Sequence, residues 1–135
     1  MVYQIKINSM EKEFVPPEQA LDLEKLGFNE PCFGYHNMVN HSGEFKFDTR
    51  IWEYSDNYIN APLYQQAFRF FREKYGLWFR PDYYDESKEY NFQGSIHELG
   101  KYNVIADIGN YKTPEEAELA CLKKLIEIVK TKQNG

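Results

Sequence analysis

The chain has few cysteines, no long apolar run and no excess of basic charge, and each shortage closes off a class of protein. Only Cys32 and Cys121 occur in 135 residues. They lie far apart, in different predicted elements. A short extracellular domain more often carries several paired cysteines to supplement a small core, so two lone thiols point to a reducing cytoplasm. No stretch approaches the roughly 20 apolar residues that span a bilayer. Met1 to Phe14 lacks an apolar h-region, so no signal peptide is expected. Lys and Arg number 16 against 21 Asp and Glu, a formal net charge of −5. That balance opposes non-specific binding to a phosphate backbone, which needs clustered cations, though it leaves room for a local basic pocket. The glycines are scattered, so no phosphate-cradling loop is present. Ser9, Ser42, Ser55, Ser87 and Ser95 include none in an elbow motif or before a plausible base. No catalytic residue, metal or cofactor is assigned on these grounds.

Aromatic residues are plentiful: 17% of the chain, with 11 Tyr and 10 Phe. Aromatics bury large areas and favour strands, and tyrosine adds a polar handle that suits an interface or a ligand cleft. The length suits one domain with one core.

Local signals predict an α+β fold, a mainly antiparallel sheet with three helices, the two longer ones packed on the sheet. Residues 1–12 form a leader, strand-like in VYQIKIN or disordered, and Met10 would itself serve as a start; residues 13–135 form the domain. A first helix is predicted over 17–26, opened by Pro17 and closed by Gly27, with Leu23, Leu26 and Phe28 in the core. Cys32–Tyr35, Phe45–Phe47 and Trp52–Tyr54 read as short strands, Asn40–Gly43 as a turn and 55–61 as loop. A second helix runs from Pro62 to Tyr75 with Gly76 as its stop, and its aromatic face is wide. Leu77–Arg80 is a strand stopped by Pro81, and Asp82–Lys88 a polar loop. Tyr90–Glu98 and Tyr102–Ile108 form a hairpin around Leu99-Gly100-Lys101. Thr113, Pro114 and Glu116 give N-cap, first turn and capping box of the last helix, whose buried face is Ala117, Cys121, Leu125, Ile128 and Val129, with 131–135 frayed.

Several groupings invite a chemical reading. Cys32, His36 and His41 make a C-x3-H-x4-H string, but a metal site needs a fourth ligand and a rigid frame that the spacing does not supply. Asp82, Asp85, Glu86 and Glu89 read as a solvated acidic loop rather than a general acid–base pair. Arg69, Arg72 and Arg80, with Arg50, accompany Tyr64, Phe68, Trp78, Tyr83 and Tyr84. Arginine offers a planar fork for phosphate, and aromatics stack on nucleobases, so this mixture suits a nucleotide; the plainer reading is arginine stems lying over an aromatic core edge. The candidate ligand-binding set is therefore Arg69, Arg72, Arg80, Tyr64, Trp78, Tyr83 and Tyr84. The strand–strand–helix ending invites comparison with a double-stranded RNA-binding domain. Such domains place lysines where this chain has Glu115, Glu116 and Glu118, which argues against RNA.

EPCFGY at 30–35, PLYQQAFRFFREKYGL at 62–77 and YKTPEEAELACLKKLIEIVK at 111–130 together resemble a family of small proteins encoded by bacteriophages, prophages and other mobile elements of gut bacteria. The likeness covers most of the chain from Met10 onward and is weakest over 37–61. It implies a bacterial cytoplasm and a mobile-element genome, and it carries no activity or residue role. Three functions are then open: a non-catalytic accessory protein that binds a nucleotide-like ligand to antagonise host defence, an interaction module or homo-oligomer acting on a host protein, and, least supported, an enzyme.

Overall fold

The computed structural model describes residues 10–39, 43–47, 57–83 and 92–134. The fold is α+β. Two compact units make up the chain, Met1–Ala67 and Phe68–Gly135. Among the described residues no helix is long and apolar enough to cross a membrane. Residues 1–9 of the expected leader (1–12), the turn residues Asn40, His41 and Ser42, the strand Trp52–Tyr54, and the residues Arg50, Tyr84, Asp85, Glu86, Ser87, Glu89 and Tyr90 lie outside the described residues.

In the first unit, helix α1 spans Pro17–Lys25, with proline at its start, Glu18 in the first turn and Lys25 in the last. It ends where Phe28 N–H reaches the Leu23 carbonyl at 2.9 Å. Leu23, Leu26 and Phe28 are buried, as the spacing predicts. Strands β1 (Gly34–Asn37), β2 (Glu44–Phe47) and β3 (Tyr58–Ala61) form an antiparallel sheet in the order β2-β1-β3. β1 starts two residues later than Cys32–Tyr35 implies. The loop expected over 55–61 contains β3. Its Asn60 and the nearby Asn57 are poor strand formers, yet Ile59 and Ala61 are buried while Tyr58 and Asn60 take the other face. Register sets His36 beside Phe45 and Ile59 on that buried face. Phe45 in turn meets Phe14 and Phe47, with centroids 4.6 and 4.8 Å apart.

Helix α2 spans Tyr64–Tyr75. It begins later than Pro62 because Phe14 and Leu63 form a β-bridge that keeps Leu63 extended. Gln66 Oε1 then accepts the Leu63 N–H at 2.9 Å, the reciprocal half of a capping box. Gly76, at φ +67, is the left-handed stop.

In the second unit, β4 (Leu77–Tyr83), β5 (Phe92–Glu98) and β6 (Val104–Tyr111) form an antiparallel sheet in the order β4-β5-β6. Pro81 does not stop β4; it sits inside the strand, which an edge position tolerates because one backbone donor is expendable there. Residues in register share a face, so Phe79, Ile96 and Ala106 lie on one side with Pro81, Gly94 and Ile108. Helix α3 (Pro114–Asn134) packs on this sheet, and the ring of Phe68 from α2 meets Phe79 at 5.3 Å. Thr113 Oγ1 accepts the Glu116 N–H at 3.1 Å, the expected N-cap. The buried stripe of α3 includes Leu122 and Ile126 with Ala117, Cys121, Leu125 and Val129, while Ile128 is half-buried. The helix continues to Asn134, through residues expected to fray from Thr131 onward. In the hairpin, Ile96 and Ile108 are buried as expected, but Tyr102 is fully exposed and Val104 half-exposed.

Gly94 fixes how β4 and β5 approach. A Cβ there would overlap the Phe79 ring and stand 2.7 Å from the Arg80 carbonyl oxygen. The backbone atom cannot swing aside as a side chain would. Gly94→Ala is therefore expected to destabilise the protein by about 1–3 kcal/mol, as overpacking does, read as a lower urea midpoint. An unchanged midpoint would show that the sheet yields freely at this point.

Candidate functional site

Alternation along a strand decides which side chains meet on the sheet face opposite α3. On β4 these are Trp78, Arg80 and Asp82; on β5, Gln93, Ser95 and His97. Two cross-strand rows result. Arg80, Ser95 and Asp107 are in register across all three strands, and Trp78, His97 and Val104 form the neighbouring row. Register shifts interrupt β5–β6 pairing on both sides of this region, between Phe92 and Gly94 and between Ile96 and His97. The first sets Gly109 and Asn110 against Gln93, a bulge of the sort that bends a sheet beside functional sites.

The result is a polar groove of about 270 Å³ lined by Arg80, Asp82, Gln93, Ser95, Asp107 and Asn110, with Gly94, Ile108 and Gly109. At its edge Trp78 stacks on the His97 ring, with centroids 5.0 Å apart and planes 29° from parallel. The imidazole is only 8% exposed. Its Nε2 lies 2.8 Å from Ser95 Oγ. An imidazole nitrogen thus stands beside Ser95, the one hydroxyl among the described residues of the groove, with a guanidinium in register on one side and a carboxylate on the other. The arrangement can hold an anionic group at Arg80, accept hydrogen bonds from ligand hydroxyls or amines at Asp82 and Asp107, and move a proton between Ser95 and His97.

Of the arginine–aromatic set, the structure brings Trp78 and Arg80 to this face. Arg69 and Arg72 are exposed on α2 and do not line the groove. Tyr64 is buried in the first unit. Tyr83 faces the other way: its ring meets Phe92 at 5.0 Å, and its hydroxyl is pushed up to about 12, first by burial, then by Glu118, Cys121 and Glu115. Tyr84 lies outside the described residues. The expectation that no serine stands by a base does not hold for Ser95. The signal was present, because the alternation of the hairpin already puts Ser95 and His97 on one face; a strand dyad has no loop motif to announce it.

The cysteine–histidine string resolves differently. The Cys32 thiol is pushed up to about 12, first by burial and then by Glu30 and Glu24, and its S–H points to the Glu30 carbonyl at 3.4 Å. His41 lies outside the described residues. His36 is buried on β1, and its Nε2–H donates to the Val15 carbonyl at 2.7 Å. Among the described residues no three His, Cys, Asp or Glu side chains gather as a metal would require. Of the acidic loop, Asp82 belongs to β4 and rims the groove.

Comparison of the chain with protein families, with curated proteins and with solved structures finds no match.

His36 yields a pH test. Its Nε2–H is spent on Val15, so protonation would add a proton at Nδ1, which is buried with no partner among the described residues. Burial holds its pKa below the usual 6.5, outweighing the Val15 bond. The unfolded chain therefore takes up this proton first as pH falls. The stabilisation is complete above about 6.5 and is lost progressively below it. The melting temperature should fall between pH 7.5 and pH 5, and more steeply for wild type than for His36→Gln. Equal slopes would remove His36 from the acid response.

Proposed function

We propose that the open face of the second sheet is a binding site for a small phosphorylated ligand of the nucleotide class, and that the protein works by holding that ligand. The observation that carries the reading is Arg80 at the centre of a polar groove, one register step from a Trp78–His97 stack. The planar fork of Arg80 is the group in this lining suited to a phosphate. Trp78 gives a planar surface beside it for a base. The groove is small beside typical ligand sites, which run to about 300–1,000 Å³, so it suits a single nucleotide unit rather than a polymer. A net charge of −5 supports the same choice over nucleic acid. In the setting that the phage-protein resemblance implies, the role is that of an accessory protein in the bacterial cytoplasm that sequesters a host nucleotide signal and so antagonises defence.

The test is calorimetric titration against a panel of mono- and dinucleotides, with inorganic phosphate as the minimal probe. At least one nucleotide should bind, and Arg80→Ala should weaken it about tenfold or more, the worth of a charged hydrogen bond. The double variant Arg69→Ala/Arg72→Ala should bind as wild type does. A panel without any binder, or full affinity in Arg80→Ala, would overturn the reading.

A second reading has its own observation. Leu99, Tyr102, Val104 and Ile105 are exposed together at the tip of the β5–β6 hairpin and along β6, a terminal strand of its sheet. Exposed apolar side chains on an edge strand favour pairing with another chain, here a second copy or a host protein. If self-association is the function, sedimentation velocity should show a concentration-dependent dimer that Val104→Lys disperses. A wild type that sediments only as monomer would remove the homo-oligomer.

A further inference from the structure

We infer that Ser95 is a nucleophile toward phosphorus, with His97 as its base, and that the groove cleaves a phosphodiester as well as holding it. The inference rests on the groove reading above and takes it from binding to chemistry. Ser95 and His97 are two apart on β5, so strand geometry alone aims both side chains to the same face. The contact is 2.8 Å, within the reach a general base needs. Two features separate this pair from an incidental hydrogen bond. The imidazole is pinned by the Trp78 stack and nearly closed off from water, so the ring is preorganised. Ser95 is half-buried and lines the groove, so its oxygen remains reachable. Arg80, in register with Ser95, supplies the charge for a non-bridging phosphate oxygen at the point of attack.

Charge selects the substrate class. Among the described residues that line the groove, one guanidinium stands with two carboxylates, Asp82 and Asp107. That balance accommodates the single negative charge of a phosphodiester better than the two of a terminal phosphate. With the imidazole protonated on Nδ1, Ser95 Oγ forms a bond to phosphorus and its proton passes to His97 Nε2. The bond from phosphorus to the leaving alkoxide breaks, and His97 returns the proton to that oxygen. Water then attacks the phosphoseryl diester, His97 takes its proton, and the Ser95 oxygen leaves and recovers it. The sum is phosphodiester plus water giving phosphomonoester plus alcohol. The product, with one more negative charge, is held less well between the two carboxylates.

The probe is an alkyl fluorophosphonate, whose fluoride leaves when a serine oxygen attacks phosphorus, followed by intact-mass and peptide mass spectrometry. The expected result is a single adduct on Ser95, absent in Ser95→Ala, with a rate that rises with pH, as general-base catalysis requires. His97→Gln should slow labelling about a hundredfold or more, the usual worth of a general base. Because His97 is buried that variant could fail to fold, so the wild-type pH profile decides independently. Labelling spread over several serines, undiminished labelling in Ser95→Ala, or a rate flat from pH 5 to 8 would each overturn the nucleophile. Nucleotide binding that Arg80→Ala abolishes, with Ser95 unlabelled, would leave the binding site standing and remove the chemistry. Labelling of Ser95 that no nucleotide slows would support the nucleophile and remove the nucleotide site.

Discussion

The groove depends on one constraint, the antiparallel register of the second sheet. It sets Arg80 against Ser95 and Ser95 against Asp107. A slip of one residue would send these side chains to the helix-covered face and bring the core residues Ile96 and Phe79 out in their place. Register is held from the core side. Gly94 leaves room for the Phe79 ring, Phe79 meets Phe68, and α3 packs its buried stripe on the same face. The polar face therefore inherits its order from apolar contacts that its own residues do not make. This is why a site assembled from single exposed side chains on three strands can be held in one geometry.

The two sheets use polar groups in opposite ways. In the first, a histidine lies on the buried face, with one nitrogen bonded to backbone and the other without a partner among the described residues. In the second, a histidine lies on the open face, covered by an indole and joined to a hydroxyl that opens on the groove. A buried polar group costs stability unless each of its hydrogen-bonding atoms is met. His36 is therefore a weak point of the first unit under acid. His97 has a partner that can itself react.

Much of the fold was legible because its signals are local. Pro17, Pro62 with Gly76, and the Thr113-Pro114-x-Glu116 start each carry cap chemistry within a few residues, and all three helices stand where these place them, give or take one turn. The hairpin was legible from alternation and Gly100. What failed was set by pairing at a distance. Tyr58–Ala61 is a strand because β1 lies beside it, and its own four residues say little. Pro81 sits inside β4 because that strand is at an edge, which no local pattern states. The candidate site divides along the same line. Trp78 and Arg80 were legible as a pair on one strand, whereas Ser95, His97 and Asp107 join them only through cross-strand register. Arg69 and Arg72 are near Trp78 and Arg80 in sequence, but their helix turns them to solvent.

Cys32 and Cys121 are both buried, and burial raises both thiols, so neither offers a thiolate at neutral pH. The native chain is therefore nearly silent to maleimide and iodoacetamide while folded. A single cysteine introduced on the surface, for example at fully exposed Tyr102, would be the one site to take a spin label or fluorophore. The wild-type background needs no cysteine removed for such spectroscopy, and the appearance of native thiol reactivity would itself be a clock for opening of either unit.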